Sequence, residues 1–384
     1  MNQKELNEIR RHLTVDKNNI RRVYGCYVNQ LGEIIASPEE SLAMASENEA
    51  EQYLALLKKT LSGGIGRHLV DIVFANEQVQ NGGEHRLLTR LYESRLEDGE
   101  ARQELFRKII ETKPVADSNY LILLAHDVYD VPHEAADALR DRENDENVFS
   151  YFLCAICPVK EGRASLGYAP ADRVFRRVSA GYLVGNPLFG FMFPAFDDRA
   201  ANIYNALFYE KDASSAPREL IDALFKIEEI PLSAGEQRVA FRSVLKAALG
   251  EECRLDVVQD LHDHVRDRLM VHKETRNPEE PEIPVEEVCG VLRESGVSVP
   301  RVEAFQKECS AAFGDGAALK PENILNSKKF EITTAKVKIS VDPENSYIVE
   351  TRVIDGRKYI LIPASGDTAL NGVEVTFEPE RAEE

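Results

Sequence analysis

The stretch Asn119–His133, NYLILLAHDVYDVPH, decides the fold. A strand with one wet face alternates apolar and polar side chains, whereas Tyr120 to Ala125 is apolar without a break, which demands cover on both faces. The polar residues His126, Asp127, Asp130 and His133 crowd the end of the run. The same apolar continuity recurs in FSYFLCAICPV (149–159) and FGFMFPAF (189–196), with ANIYNALFY (201–209) as a further element. Together these predict the central strands of a mixed sheet flanked by helices, an α/β to α+β fold.

Around these strands the sequence predicts helices over Asn2–Leu13, Ser46–Leu61, Glu84–Leu96, Glu100–Thr112 and Leu255–Thr275. Ser46 with Glu49, and Ser233 with Glu236, have the capping-box spacing, and Ser215 with Pro217 opens another helix. On the long helix, Val258, Leu261, Val265 and Leu269 fall on one stripe. Val23–Val28 and Glu33–Ala36 read as a hairpin turned by Asn29 and Gly32.

The segment NPEEPEIP (277–284), with three prolines and three glutamates, reads as a linker between a main domain over 1–276 and a small α+β domain over 285–378. In the small domain Val285–Glu294 and Pro300–Phe313 read as helices. Phe330–Phe377 reads as an antiparallel unit in which Val337, Ile339 and Val341 alternate with polar residues and Asp355-Gly356 turns a hairpin. Residues 379–384 read as an acidic tail.

Composition narrows the function classes. Hydrophobic residues at 43% and charged residues at 29% fit a folded soluble chain, and the apolar runs fall short of the roughly 20 residues that span a bilayer. The amino terminus lacks a continuous hydrophobic stretch, so the expected location is cytoplasmic, with six cysteines facing a reducing pool. A net charge of −19 disfavours nonspecific contact with phosphate backbones or acidic membranes. Against that background the first 28 residues are locally basic, carrying Lys4, Arg10, Arg11, Lys17, Arg21 and Arg22 against Glu5, Glu8 and Asp16. They read as a solvated helix face, or as a site for nucleic acid or another partner.

Four motifs invite chemistry. Cys154 and Cys157 have redox or zinc spacing, but residues three apart on a strand point to opposite faces, which makes them two buried small hydrophobes. LSGGIGRH (61–68) resembles a phosphate loop with its order reversed, helix before glycine, and reads as a helix terminus and turn. His262 and His264 lie about 200° apart around a helix and cannot share a metal; with His272 they read as surface charge patterning. The fourth is the strand-end cluster of His126, Asp127, Asp130 and His133, joined by Asp197, Asp198 and Arg199 from FPAFDDR. Histidines and carboxylates delivered to one sheet edge can bind a divalent cation or act as acid and base. The plainer reading has Asp127 and Asp130 capping turns, Asp197 or Asp198 starting a helix, and Arg199 pairing with an acid. No strict metal signature, nucleophile elbow, Walker lysine or dinucleotide fingerprint is present, which disfavours several enzyme classes and leaves the cofactor unknown.

GCYV, LSGGIGRHL, NYLILLAHDVYDVP, CAICPVK, FMFPAFDDR and ETRVIDGRKYILI in combination resemble a Firmicutes family defined as a domain of unknown function (DUF4317-like), over essentially the whole chain. The resemblance implies a bacterial cytosolic protein and transfers no catalytic residue. The function expected from the residues is a noncatalytic cytoplasmic binding or adaptor protein, the small domain offering strand edges to a protein partner. The alternatives are a metal-dependent hydrolase, acting on phosphoesters through the His126 and Asp197 regions, and a nucleic-acid-associated protein using Arg10, Arg11, Arg21 and Arg22.

Overall fold

In a computed structural model, residues 1–132, 148–162, 165–169, 173–178, 181–213, 217–227, 231–275, 281–327, 329–364, 368–370 and 373–376 are described. His133, Ser215, part of the 277–284 segment and the 379–384 tail lie outside them.

The chain runs through α1 (Gln3–His12), β1 (Arg22–Val28), β2 (Ile34–Ala36), β3 (Glu39–Ser41), α2 (Glu47–Lys59), β4 (Leu69–Val73), α3 (Asn76–Asn81), α4 (Gly83–Glu93) and α5 (Gly99–Glu111). Next come β5 (Asn119–Asp130), β6 (Val148–Glu161), β7 (Ser165–Ala169), β8 (Val174–Val178), β9 (Tyr182–Val184), β10 (Phe189–Phe193), β11 (Ala195–Asp197), β12 (Ala200–Asn202) and β13 (Asn205–Glu210), then α6 (Arg218–Phe225) and α7 (Ala234–Leu249). The fold is mixed α/β, built on a large sheet between layers of helices.

The central path of that sheet has the order β2-β1-β5-β6-β10-β13-β4, and its pairings are antiparallel. Apolar continuity reports cover on both faces and says nothing of strand direction, which is why the predicted mixed sheet resolves into antiparallel pairs. Tyr120, Ile122 and Leu124 of β5 join Phe152, Cys154 and Ile156 of β6 in one core, beneath Leu88, Leu105 and Leu224 of α4, α5 and α6. Leu123 and Ala125 join Leu153, Ala155 and Cys157 in the other core, beneath Leu6 and Ile9 of α1 and Leu54 and Leu57 of α2. Cys154 and Cys157 thus face opposite layers, as the strand reading requires. A one-residue slip would exchange the two sets, and each buried Leu or Ile contributes about 1.5–3 kcal/mol, so the register is strongly fixed.

The local signals act where they occur. Ser46 and Glu49 cap α2 reciprocally, and Ser233 and Glu236 do the same for α7. Asn29 Oδ1 accepts from the amides of Leu31 and Glu33 at 2.9 and 2.8 Å, closing the first hairpin. At Gly190 a Cβ would lie 2.5 Å from both the Cys154 carbonyl and Thr60 Cγ2, so its absence lets the end of α2 sit directly on β10.

Chain contacts define two compact units that part at Gln237/Arg238, inside α7, and not at residue 276 as the linker reading had it. The second unit has one apolar core. Phe241 and Leu245 of α7 join Val257, Leu261 and Val265 of α8 (Leu255–Thr275), Val288 and Leu292 of α9 (Val285–Glu294), and Val302 and Phe305 of α10 (Val299–Phe313). The long helix packs into this core through Val257 in place of Val258, together with Leu261 and Val265. Ile283 and Pro284, read as the end of a linker, form the short strand β14 (Ile283–Pro284) against β15 (Ala318–Leu319), with Ile283 fully buried.

After α11 (Pro321–Ile324) the expected antiparallel unit takes the form of three separate hairpins among the described residues. These pair β16 (Phe330–Thr333) with β17 (Lys338–Val341), β18 (Glu350–Ile354) with β19 (Arg357–Leu361), and β20 (Thr368–Leu370) with β21 (Val373–Val375). Asp355 and Gly356 both have positive φ, the turn that Asp-Gly favours. Val337 sits in the turn before β17 and not in the strand. No helix among the described residues is long and apolar enough to cross a membrane.

Candidate functional site

The polar end of β5 serves two clefts, one on each face of the sheet. His126 and Asp127 are consecutive, so the pleat sends them to opposite sides.

On the α4/α5 side a cleft of about 800 Å³ is walled by Arg21, Arg22 and Tyr24 of the β1 region, Arg95 and Glu97 of the turn after α4, and Arg102 of α5. Asn19, Glu39, and His126, Val128 and Asp130 of β5 complete its lining. Arg102 is committed: it donates to Glu39 Oε1 at 2.7 Å and to the Leu96 carbonyl, and stacks 3.9 Å above the Tyr24 ring. No hydrogen bond or ion pair engages the side chains of Arg21, Arg22 or Arg95 among the described residues. Arg95 has φ +53°, a left-handed conformation at the α4–α5 turn. His126 is half-buried, with Nε2 2.7 Å from Ser150 Oγ. Burial, followed by the charges of Arg95 and Arg21, pulls its pKa down to about 4 against the opposing pull of Asp127. The imidazole is therefore neutral near pH 7 and sits among arginines.

On the α1 side lies a smaller cleft of about 380 Å³, lined by Lys4, Glu8, Arg11 and His12 of α1, Lys17, Tyr129 and Pro132, and Arg199. Beneath it Asp127 is fully buried and richly bonded. Its Oδ1 accepts from the amides of Asn19 and Val128, each at 2.8 Å, and its Oδ2 accepts from the Tyr151 hydroxyl at 2.9 Å. His12 Nε2 approaches Oδ2 to 3.2 Å, at an angle that makes this an electrostatic contact and not an aligned hydrogen bond. The sequence reading missed His12. Its signal was available only as a histidine in the last turn of a helix whose apolar face must pack on the sheet end.

The remaining candidates lie elsewhere around that end. Asp197 pairs with the Met1 amino group at 3.0 Å and accepts from Asn202 at 3.2 Å, sharing no partner with Asp127. Those bonds hold its pKa below the usual carboxylate range. Asp198 and Arg199 start no helix; with φ of +50° and +59° they form the two-residue turn of the β11–β12 hairpin. Arg199 donates from its guanidinium to Glu8 at 3.3 Å and to the Pro132 carbonyl at 2.7 Å, the acid pairing anticipated for it. Among the described residues no three His, Cys, Asp or Glu side chains converge as metal ligands.

The basic amino-terminal residues also divide. Arg10 donates to the carbonyls of Leu61 and Gly63, satisfying the end of α2 within LSGGIGRH, while Arg11 faces the smaller cleft and Arg21 and Arg22 the larger. His262 is buried against the Asn326 carbonyl at 3.0 Å and His264 pairs with Glu287 at 2.6 Å, structural roles on separate sides of α8.

No curated protein matches this sequence. A family described as Domain of unknown function (DUF4317) matches residues 1–373, and the chain belongs to that family.

Proposed function

We propose that this is a noncatalytic binding protein of the bacterial cytoplasm, whose ligand is a small polyanion taken up in the larger cleft. The observation that carries the reading is the set of three arginines, Arg21, Arg22 and Arg95, turned toward one 800 Å³ cleft without hydrogen-bond or ion-pair partners among the described residues. Guanidinium groups bind carboxylates and phosphates through paired N–H donors, and a binding cavity of this size accommodates a whole small molecule. The cytoplasmic setting is supported by six free cysteines, five of them buried. The hydrolase reading has less support, because His126 and Asp127 face different clefts and Asp197 keeps its own partners. The nucleic-acid reading is weakened by the commitment of Arg10 to backbone carbonyls.

The test is a melting-temperature screen with citrate, pyrophosphate and ATP at constant ionic strength, on wild type and on Arg21→Ala/Arg95→Ala. At least one polyanion should raise the wild-type melting temperature, with the gain abolished in the variant. No stabilisation by any of the three, or equal stabilisation of the variant, would remove the reading.

An adaptor role through strand addition is the second reading. It is favoured by β18 and β19, which pair only with each other among the described residues and leave Val353 68% and Ile354 45% exposed. A specific partner recovered by the wild type and lost with Val353→Lys would support it. A partnerless monomer in native lysate counts against it.

A further inference from the structure

We infer that the smaller cleft under α1 is a separate site for a single phosphate group. Lys4, Arg11, Lys17 and Arg199 converge on a space of about 380 Å³ in a chain whose net charge is −19. The one carboxylate lining the cleft among the described residues, Glu8, is already engaged by Arg199 through both oxygens at 3.3 Å. The side chains of Arg11 and Lys17 have no hydrogen bond or ion pair among the described residues. Like charges gathered this closely repel one another, and an anion among them removes that repulsion while gaining charge-assisted hydrogen bonds.

The floor of the cleft selects which anion. His12 has a side chain only 7% exposed, with Nε2 3.2 Å from Asp127 Oδ2 and the ring packed 5.0 Å from that of Tyr129. Asp127 is itself fixed by Tyr151, Asn19 and Val128, so it positions the imidazole without being free to follow it. With Nε2 lying against that buried carboxylate, Nδ1 is the nitrogen left for a ligand. A phosphate group titrates near neutrality, with a second pKa of about 6 in its monoesters. A protonated imidazole donates to its oxyanion, and a neutral one whose proton lies on Nε2 accepts from its P–OH. Sulfate carries no such proton and satisfies only the first arrangement. The site therefore favours phosphate over sulfate at equal ionic strength.

This inference stands apart from the polyanion reading of the larger cleft, and its experiment separates the two. The full chain is titrated calorimetrically with inorganic phosphate, glycerol phosphate and sulfate at fixed ionic strength, as wild type, as Arg11→Ala/Lys17→Ala and as Arg21→Ala/Arg95→Ala. All four substituted positions are exposed, so folding should survive, which circular dichroism checks. Phosphate should bind wild type at one site in this cleft, weaken about tenfold or more in Arg11→Ala/Lys17→Ala, and bind Arg21→Ala/Arg95→Ala at that site as in wild type. Sulfate should bind more weakly than phosphate. Glycerol phosphate binding alongside inorganic phosphate identifies a site open to monoesters, and its exclusion identifies one for the free ion. No binding of either phosphate, binding unchanged in Arg11→Ala/Lys17→Ala, or sulfate equal to phosphate would each overturn the inference. Phosphate binding lost only in Arg21→Ala/Arg95→Ala would also overturn it while leaving the polyanion reading standing.

Discussion

The carboxylate of Asp127 accepts a hydrogen bond from the hydroxyl of Tyr151 at 2.9 Å, between residues paired directly across β5 and β6. Both are fully buried, and burial together with the adjacent carboxylate pushes the Tyr151 phenol well above its usual pKa. This pair ties the polar end of the strand into the core beneath α1 and makes Asp127 an internal strut as well as the support for His12.

Asp127 and Asp130 lie three residues apart on one strand, yet their substitutions should differ widely. Asp127→Ala leaves the Tyr151 hydroxyl and two amides unsatisfied and removes the charge facing His12, which should cost about 3–5 kcal/mol. Tyr151→Phe should cost about 1–3 kcal/mol through the carboxylate oxygen it orphans. Asp130→Ala, at the exposed strand end, should stay within about 0.5 kcal/mol. Urea denaturation measures all three, and similar losses at Asp127 and Asp130 would contradict the burial assigned to Asp127.

His126 should titrate with a midpoint near pH 4 in the folded chain, against an ordinary value of 6.5. Because the unfolded chain binds this proton more readily, the contribution of His126 to stability is lost as pH falls from 6.5 toward 4. Arg95→Ala removes a positive neighbour and should move the midpoint upward. Histidine resonances followed by NMR across this range provide the check, and a midpoint near 6.5 in wild type would show the cleft to be more open than described.

Glu210 gives the opposite sign. It is fully buried at the end of β13 with neither carboxylate oxygen hydrogen-bonded among the described residues, and burial, with Glu236 and Asp212 nearby, raises its pKa from 4.5 to about 8. Between those values the unfolded chain loses the proton while the folded chain keeps it, so this contribution to stability falls as pH rises through the window and is flat above it. Glu210→Gln removes the slope. The variant should match wild type near pH 4.5 and melt higher at pH 8 to 9, whereas parallel melting curves across that range would refute the assignment.

Thiol chemistry offers a fourth check. Cys26, Cys154, Cys157, Cys289 and Cys309 are buried and Cys253 is half-buried. Burial pushes the Cys157 thiol up to about 12 and the Cys154 thiol higher still, so neither is a ready nucleophile. Ellman's reagent should modify about one thiol per native chain, at Cys253, and six after denaturation. Fast modification of the Cys154 and Cys157 pair would mean that the two share an accessible side.

The sequence by itself determined the elements whose signals are local. Ser46 with Glu49 placed a helix start, the unbroken run Tyr120–Ala125 placed a strand covered on both faces, and the spacing of Cys154 and Cys157 placed them on opposite layers, because capping and pleat geometry depend on neighbours along the chain. Strand direction, the boundary at Gln237/Arg238 and the separation of the late hairpins depend on which elements meet, and composition does not encode that. The site shows the same division. The histidines and carboxylates at the end of the apolar run were legible, but the pleat parted His126 from Asp127, and only the docking of α1 on the sheet brought His12 to Asp127 across more than a hundred residues of chain.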